Sequence, residues 1–150
     1  MRKILITIIS IFVLATSAIA DEWNWKQFSD YVYLNTDKIE YYTDETGYNH
    51  AIVCQKHFQK KGDKYDDSMI EICKKHYKKQ LGYVLVINDI NINKKTATLS
   101  YIIFFDTKGN ELGAVEMGKK EDCQPIPPLT VEDDIFQYVV NIRGSKVTGE

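Results

Sequence analysis

The sequence predicts an α+β domain: an antiparallel β-sheet meander with one inserted helix and one C-terminal helix covering a face. Three observations carry this. Stretches rich in Val, Ile, Tyr and Phe are separated by short Gly, Asn and Asp clusters, the pattern of strands joined by tight turns. Helical periodicity occurs in two windows, residues 66–81 and 131–142. No internal repeat, low-complexity tract or linker divides the chain after residue 20.

Residues 21–30 carry Trp23, Trp25 and Phe28, which suit a short strand or an aromatic lid on the core. Residues 31–42 read as a strand with a turn near 35–37, and Asp44-Glu45-Thr46-Gly47 as a turn. Residues 50–58 form the next strand and residues 60–64, around Gly62, a loop. The first helix spans 66–81. Met69, Ile72, Cys73 and Tyr77 make its apolar stripe, Asp66 and Asp67 suit its N-terminus, Lys74, Lys75, Lys78 and Lys79 its C-terminal half, and Gly82 its stop. Strands follow at 83–92 and 96–105, joined at Asn93-Lys94-Lys95. A turn over 106–110, with Gly109 at the left-handed position, leads to a shorter strand at 111–117. Pro125, Pro127 and Pro128 hold an extended segment. Thr130 then caps a helix with stripe Val131, Ile135, Val139 and Ile142, widened by Phe136 and Val140, and the tail frays from Gly144.

The N-terminus is read as a signal peptide. Arg2 and Lys3 precede an apolar run over 4–15, and Ala18-Ile19-Ala20 forms a small-residue cleavage site, so residues 1–20 are expected to be removed. The run is about a dozen residues, where a membrane span needs about 20. The expected mature unit is a single domain, residues 21–150, in the periplasm, at the cell surface or outside the cell, with no transmembrane segment after cleavage. Taking Arg2 and Lys3 from nineteen basic residues leaves seventeen against twenty-one acidic, a net charge of −4. That is a poor balance for nucleic-acid binding. One stretch runs the other way: residues 56–79 hold eight lysines against four acidic residues. It reads either as a solvated loop and helix face or as a basic patch for an anionic partner, with Lys74, Lys75, Lys78 and Lys79 as the binding residues.

The three cysteines are Cys54, Cys73 and Cys123. Export favours pairing. Cys54 with Cys73 is the expected disulfide, because they lie in neighbouring elements while Cys123 stands in a later loop beside Pro125. Cys54, His57, Cys73 and His76 also read as C-x-x-H twice, the residue types of a zinc site. Cys73 and His76 can share a helix face, but three residues along a strand put Cys54 and His57 on opposite faces. A thiol- or zinc-dependent protein is therefore one alternative, with no metal and no cofactor as the main expectation. Cys123 has no histidine within forty residues, and nucleophile-elbow and phosphate-loop motifs are absent. The run from Asp106 fails as a calcium loop, having Glu111 and Met117 where glycine and glutamate are needed. Glu132, Asp133 and Asp134 fit the N-terminal dipole of a helix. No catalytic set is complete, so the chain is expected not to be an enzyme. Ten tyrosines, five of them at 31, 33, 41, 42 and 48, suit strand packing or a binding face.

The run YIIFFDTKGNELGAVE over 101–116, then CQPIPPLTVEDDIFQYVVN over 123–141, resembles the surface-adhesin protein E family of small exported bacterial proteins. That family's pattern is a strand, a D-x-x-G-N/K turn, a short I-x-P segment and a capped helix with a central aromatic. YLNTDKI over 33–39 is similar to its tyrosine–aspartate strand. Cys123 stands where the family usually has tryptophan, and the anchor cysteine of lipidated protein E is missing. The resemblance implies an antiparallel sheet with helices that can form a homodimer. It also implies a non-enzymatic role in binding host extracellular matrix proteins such as vitronectin or laminin. The alternative from a different class is a periplasmic or envelope structural protein of unknown partner.

Overall fold

The computed structural model describes residues 23–118 and 122–147. The expected signal peptide and its cleavage site lie outside these residues. The α+β architecture is as read from the sequence. Strands β1 (Trp25–Gln27), β2 (Val32–Asn35), β3 (Glu40–Thr43) and β4 (Asn49–His57) precede helix α1 (Lys64–Tyr77). Strands β5 (Leu81–Asn91), β6 (Thr96–Asp106), β7 (Glu111–Glu116) and β8 (Gln124–Pro125) and helix α2 (Val131–Val147) complete the chain.

Every strand pairing is antiparallel, in the order β1-β2-β4-β5-β6-β7. The three long strands β4, β5 and β6 form a spine. Each outer side of the spine carries two short strands end to end: β2 at the C-terminal half of β4 with β3 at its N-terminal half, and β7 and β8 along β6. The stretch 31–42, expected as a strand with a turn near 35–37, is broken there into β2 and β3, which pair with β4 rather than with each other. The break at 36–39 fits the Asn35 side chain, which accepts a hydrogen bond from the Asp37 amide in a turn of its own.

Both helices cover one face. α1 sets Met69 and Cys73 on Leu81, Val84, Val86, Ile102 and Phe104. α2 sets Ile135, Phe136 and Val139 on Leu34, Ala51, Val53 and Ile90. Side chains of alternate parity, among them Ile52, Cys54, Tyr83, Leu85, Ile87, Ile103 and Phe105, form a second buried cluster on the other face with Trp23. A central sheet with apolar side chains on both faces explains why β5 reads as a nearly unbroken apolar run from Tyr83 to Ile87. Among the described residues, no helix is long and apolar enough to cross a membrane.

α2 starts as expected. The Thr130 hydroxyl accepts from the Asp133 amide at 3.2 Å and donates to the Pro127 carbonyl at 2.8 Å. The return bond goes one residue further out than in a standard capping box, from the Leu129 amide to Asp133 Oδ2 at 3.1 Å. The expected fray at Gly144 does not occur there, and the helix runs on to Val147. Thr130→Ala is expected to destabilise by about 1 kcal/mol. Val139→Ala, at a fully buried position, is expected to cost about 2 kcal/mol. Denaturant melts of the two variants rank them, and the reverse order would mean that capping outweighs burial in this helix.

Candidate basic binding face

Helix α1 begins earlier and ends earlier than the sequence pattern suggested. Asp63 is its N-cap, with Oδ1 accepting from the Tyr65 and Asp66 amides at 2.9 and 3.2 Å. Asp66 Oδ2 reaches back to the Lys60 amide at 2.7 Å. The helix stops not at Gly82 but at Lys78, which takes the left-handed conformation with φ 54°. The Cys73 thiol meets the Lys79 carbonyl at 3.6 Å, closing the stop. Gly82 instead lies within β5. The apolar stripe is narrower than expected: Met69 and Cys73 are buried and Tyr77 half-buried, but Ile72 is 42% exposed.

The early stop gathers the four lysines. Lys74 and Lys75 are in the last turn, Lys78 is the cap and Lys79 follows it, all at the negative end of the helix dipole and all exposed. Among the described residues none of the four forms a salt bridge. Lys79 does lower the Asp106 carboxyl pKa, though less than the hydrogen bonds from Asn110 do. An open groove of about 900 Å³ lies among the lysines and is lined as well by Ile70, Leu81, Gln80 and the acidic Glu71. Ile70 is 36% exposed. Two of the four earlier lysines of the same stretch lie against aromatic rings. The Lys56 ammonium sits 4.2 Å from the Tyr83 ring centre and within 5.6 Å of Trp25 and Phe58, and Lys60 lies 5.9 Å over Tyr31.

The cysteine expectations change. The Cys54–Cys73 disulfide does not form: Cys54, Cys73 and Cys123 are all free. Cys54 belongs to the cluster on the helix-free face, and Cys73 hangs from α1 over the other, so the sheet lies between them. Burial pushes the Cys54 thiol up to about 12, far from a reactive thiolate. Burial also raises the Cys73 thiol. The four residues of the zinc alternative do not converge. His57 lies on the helix side with Nε2 2.8 Å from Gln55 Oε1, its pKa pushed down by burial despite Glu132 and Asp66 nearby, and His76 is exposed. Among the described residues no three His, Cys, Asp or Glu side chains are grouped to hold a metal ion.

The tyrosines mostly pack into the scaffold. Tyr83 is buried; Tyr33, Tyr41, Tyr42, Tyr77, Tyr101 and Tyr138 are half-buried; Tyr31, Tyr48 and Tyr65 are exposed. One polar cluster had no signature in the sequence. His50, Asp44, Asp89, Tyr42 and Asn91 meet at the far end of β5 from the lysines, on the helix-free face. They are scattered over 50 positions, and only the register of β3, β4 and β5, which puts Tyr42 and Asn91 opposite His50, brings them together. Compared with known proteins, the chain matches no family model, no curated protein and no solved structure.

Proposed function

We propose that the chain is an exported, non-enzymatic binding module that holds an anionic protein partner, such as a host extracellular matrix or envelope protein, on the C-terminal end of α1. The observation that carries this reading is the group of four exposed lysines, without salt-bridge partners among the described residues, in a chain whose total charge is negative. Unpaired surface cations next to exposed Ile70 offer an anion both charge and apolar contact. The signal-like N-terminus and the resemblance to surface adhesins support the compartment and the class of partner.

Contact through such a rim is electrostatic and weakens with salt, because exposed charges are screened beyond about 8 Å at physiological ionic strength. Replacing Lys74, Lys75, Lys78 and Lys79 together by glutamine is expected to slow association about tenfold at low salt while changing dissociation less. The measurement is surface binding of the exported protein to laminin, vitronectin and heparin at two salt concentrations, with the variant alongside. Binding to none of them, or binding indifferent to both salt and substitution, would leave the lysines as a solvated helix end. The envelope structural protein would then be the better reading.

A further inference from the structure

The most exposed large apolar side chain among the described residues is Leu129, at 98%. It stands just before the cap residue Thr130, a position from which an apolar side chain ordinarily folds back onto the fourth residue of the helix. That residue is Asp134, itself exposed, so Leu129 has no apolar seat there. Leu129 also holds the left-handed conformation, with φ 63°, which residues other than glycine adopt uncommonly. The turn around it is firmly built. The Leu129 amide donates to Asp133 Oδ2 at 3.1 Å, and Asp133 Oδ1 lies 2.8 Å from the Lys95 ammonium. The Thr130 hydroxyl donates to the Pro127 carbonyl at 2.8 Å, and Pro127 and Pro128 fix φ just upstream. A rigid turn thus presents one leucine to solvent, and a group held in place beforehand loses little freedom on contact. Glu132 and Asp134 stand close by in sequence, exposed and, among the described residues, in no salt bridge.

We propose that Leu129 is the knob of a head-to-tail contact between two copies of this chain, seated in the lysine-rimmed groove of the second copy. The inference rests on the lysine face being a seat for acidic protein surface, and it names that surface. Charge complementarity selects the occupant. With Glu132 and Asp134 following it, Leu129 fits an apolar hollow ringed by cations. The end of α1 answers that description: Ile70 and Leu81 lie in the groove with four lysines around them, and Glu71 is the one acid among its described lining residues. A chain cannot fill its own groove. Pro125, four residues before Leu129, pairs with Thr96 at the start of β6, whereas Leu81 pairs with Asp106 at its end. Ten residues of strand, about 33 Å, separate the two places. The Lys95–Asp133 ion pair ties the knob to the first of them. The contact therefore joins unlike surfaces of two molecules. One leucine and a charged rim bury little surface, so the association is weak and falls with salt. While it lasts, it covers the lysines against any other anionic partner.

The test is self-association of the exported protein at low salt, from about 10 μM to about 1 mM, read by sedimentation and by amide NMR. The wild type is expected to associate, with concentration-dependent shifts confined to residues 129–134 and 70–81. Leu129→Ser removes a side chain that packs on nothing within its own molecule, so it should fold as the wild type does. It should weaken association at least about tenfold. The variant with Lys74, Lys75, Lys78 and Lys79 replaced by glutamine should do the same. The decisive arm mixes the two variants. One keeps the knob and the other the groove, so the mixture should regain a contact that neither makes alone. A wild type monomeric at about 1 mM, a Leu129→Ser variant that associates like the wild type, or a mixture no more associated than its parts overturns the proposal. Heparin binding in dilute solution separates this inference from the reading beneath it. A wild type that stays monomeric yet binds heparin through the lysines refutes the self-contact alone, and lysines that support neither refute both.

Discussion

Gly82→Ala is expected to destabilise the protein by about 3 kcal/mol or more, whereas a control glycine-to-alanine change in α2 should stabilise it slightly. The register of β5 on β6 jumps between Leu81 and Tyr83, whose partners are Asp106 and Phe105, so Gly82 is the extra residue. A Cβ there would lie 2.3 Å from the Asp106 carbonyl oxygen, 2.7 Å from its carbon and 2.9 Å from Thr107 Cα. All three are backbone atoms, and no rotamer change relieves the clash. The strand ends must part, and the turn hung on Asp106 parts with them: Asp106 Oδ1 accepts from the Lys108 and Asn110 amides at 2.8 and 2.9 Å. The control is Gly144→Ala in α2, where a Cβ meets nothing within 4 Å and helix propensity favours alanine by up to about 1 kcal/mol. Denaturant midpoints of the two variants should move in opposite directions. A Gly82→Ala midpoint within error of wild type would mean that the bulge is not closed in solution.

Phe105→Ala is expected to cost about 3–5 kcal/mol, a large share of the roughly 5–15 kcal/mol stability of an ordinary domain. Phe105 is wholly buried at the other side of the same bulge, its ring stacked on Tyr83 with centres 4.7 Å apart and planes 9° apart. The Tyr83 ring also carries the Lys56 ammonium, so the cavity would loosen a chain of contacts reaching back to β4 and Trp25. Val115→Ala, on the exposed side of β7, should stay within about 0.5 kcal/mol. A Phe105→Ala loss below about 1 kcal/mol would refute the packing described for this face.

The strands and helices were legible because their signals are local. β5 and β6 are long apolar runs between turn residues, and Gly109 takes φ 80° in the turn where its left-handed geometry was expected. The ends of α1 were less legible. Gly82 looked like a helix stop, but the left-handed position is Lys78, and glycine is needed at 82 for a backbone approach that only the paired strand β6 reveals. Ile72 fitted the apolar stripe by spacing, yet α1 rests on the sheet along a narrower line through Met69 and Cys73, leaving Ile72 in solvent. The lysines at the end of α1 were visible as a charge run, though not that Lys56 and Lys60 are drawn off onto aromatic rings. The His50 cluster was illegible for a different reason: its members meet through strand register, which the sequence specifies only through the whole sheet.

The placement of the thiols also has a kinetic meaning. In an oxidising compartment the nascent chain would meet oxidant before its sheet closes, with Cys54 and Cys73 only nineteen positions apart in sequence and free to collide. A bond between them would tie the fourth strand to the helix that must cross to the opposite side of it. Such a chain could not complete this fold without reduction. Productive folding in such a compartment would be a race in which the sheet has to form before the thiols meet, and once formed it would keep them apart. A cross-link between these two cysteines, recovered from exported material, would mark molecules that lost the race.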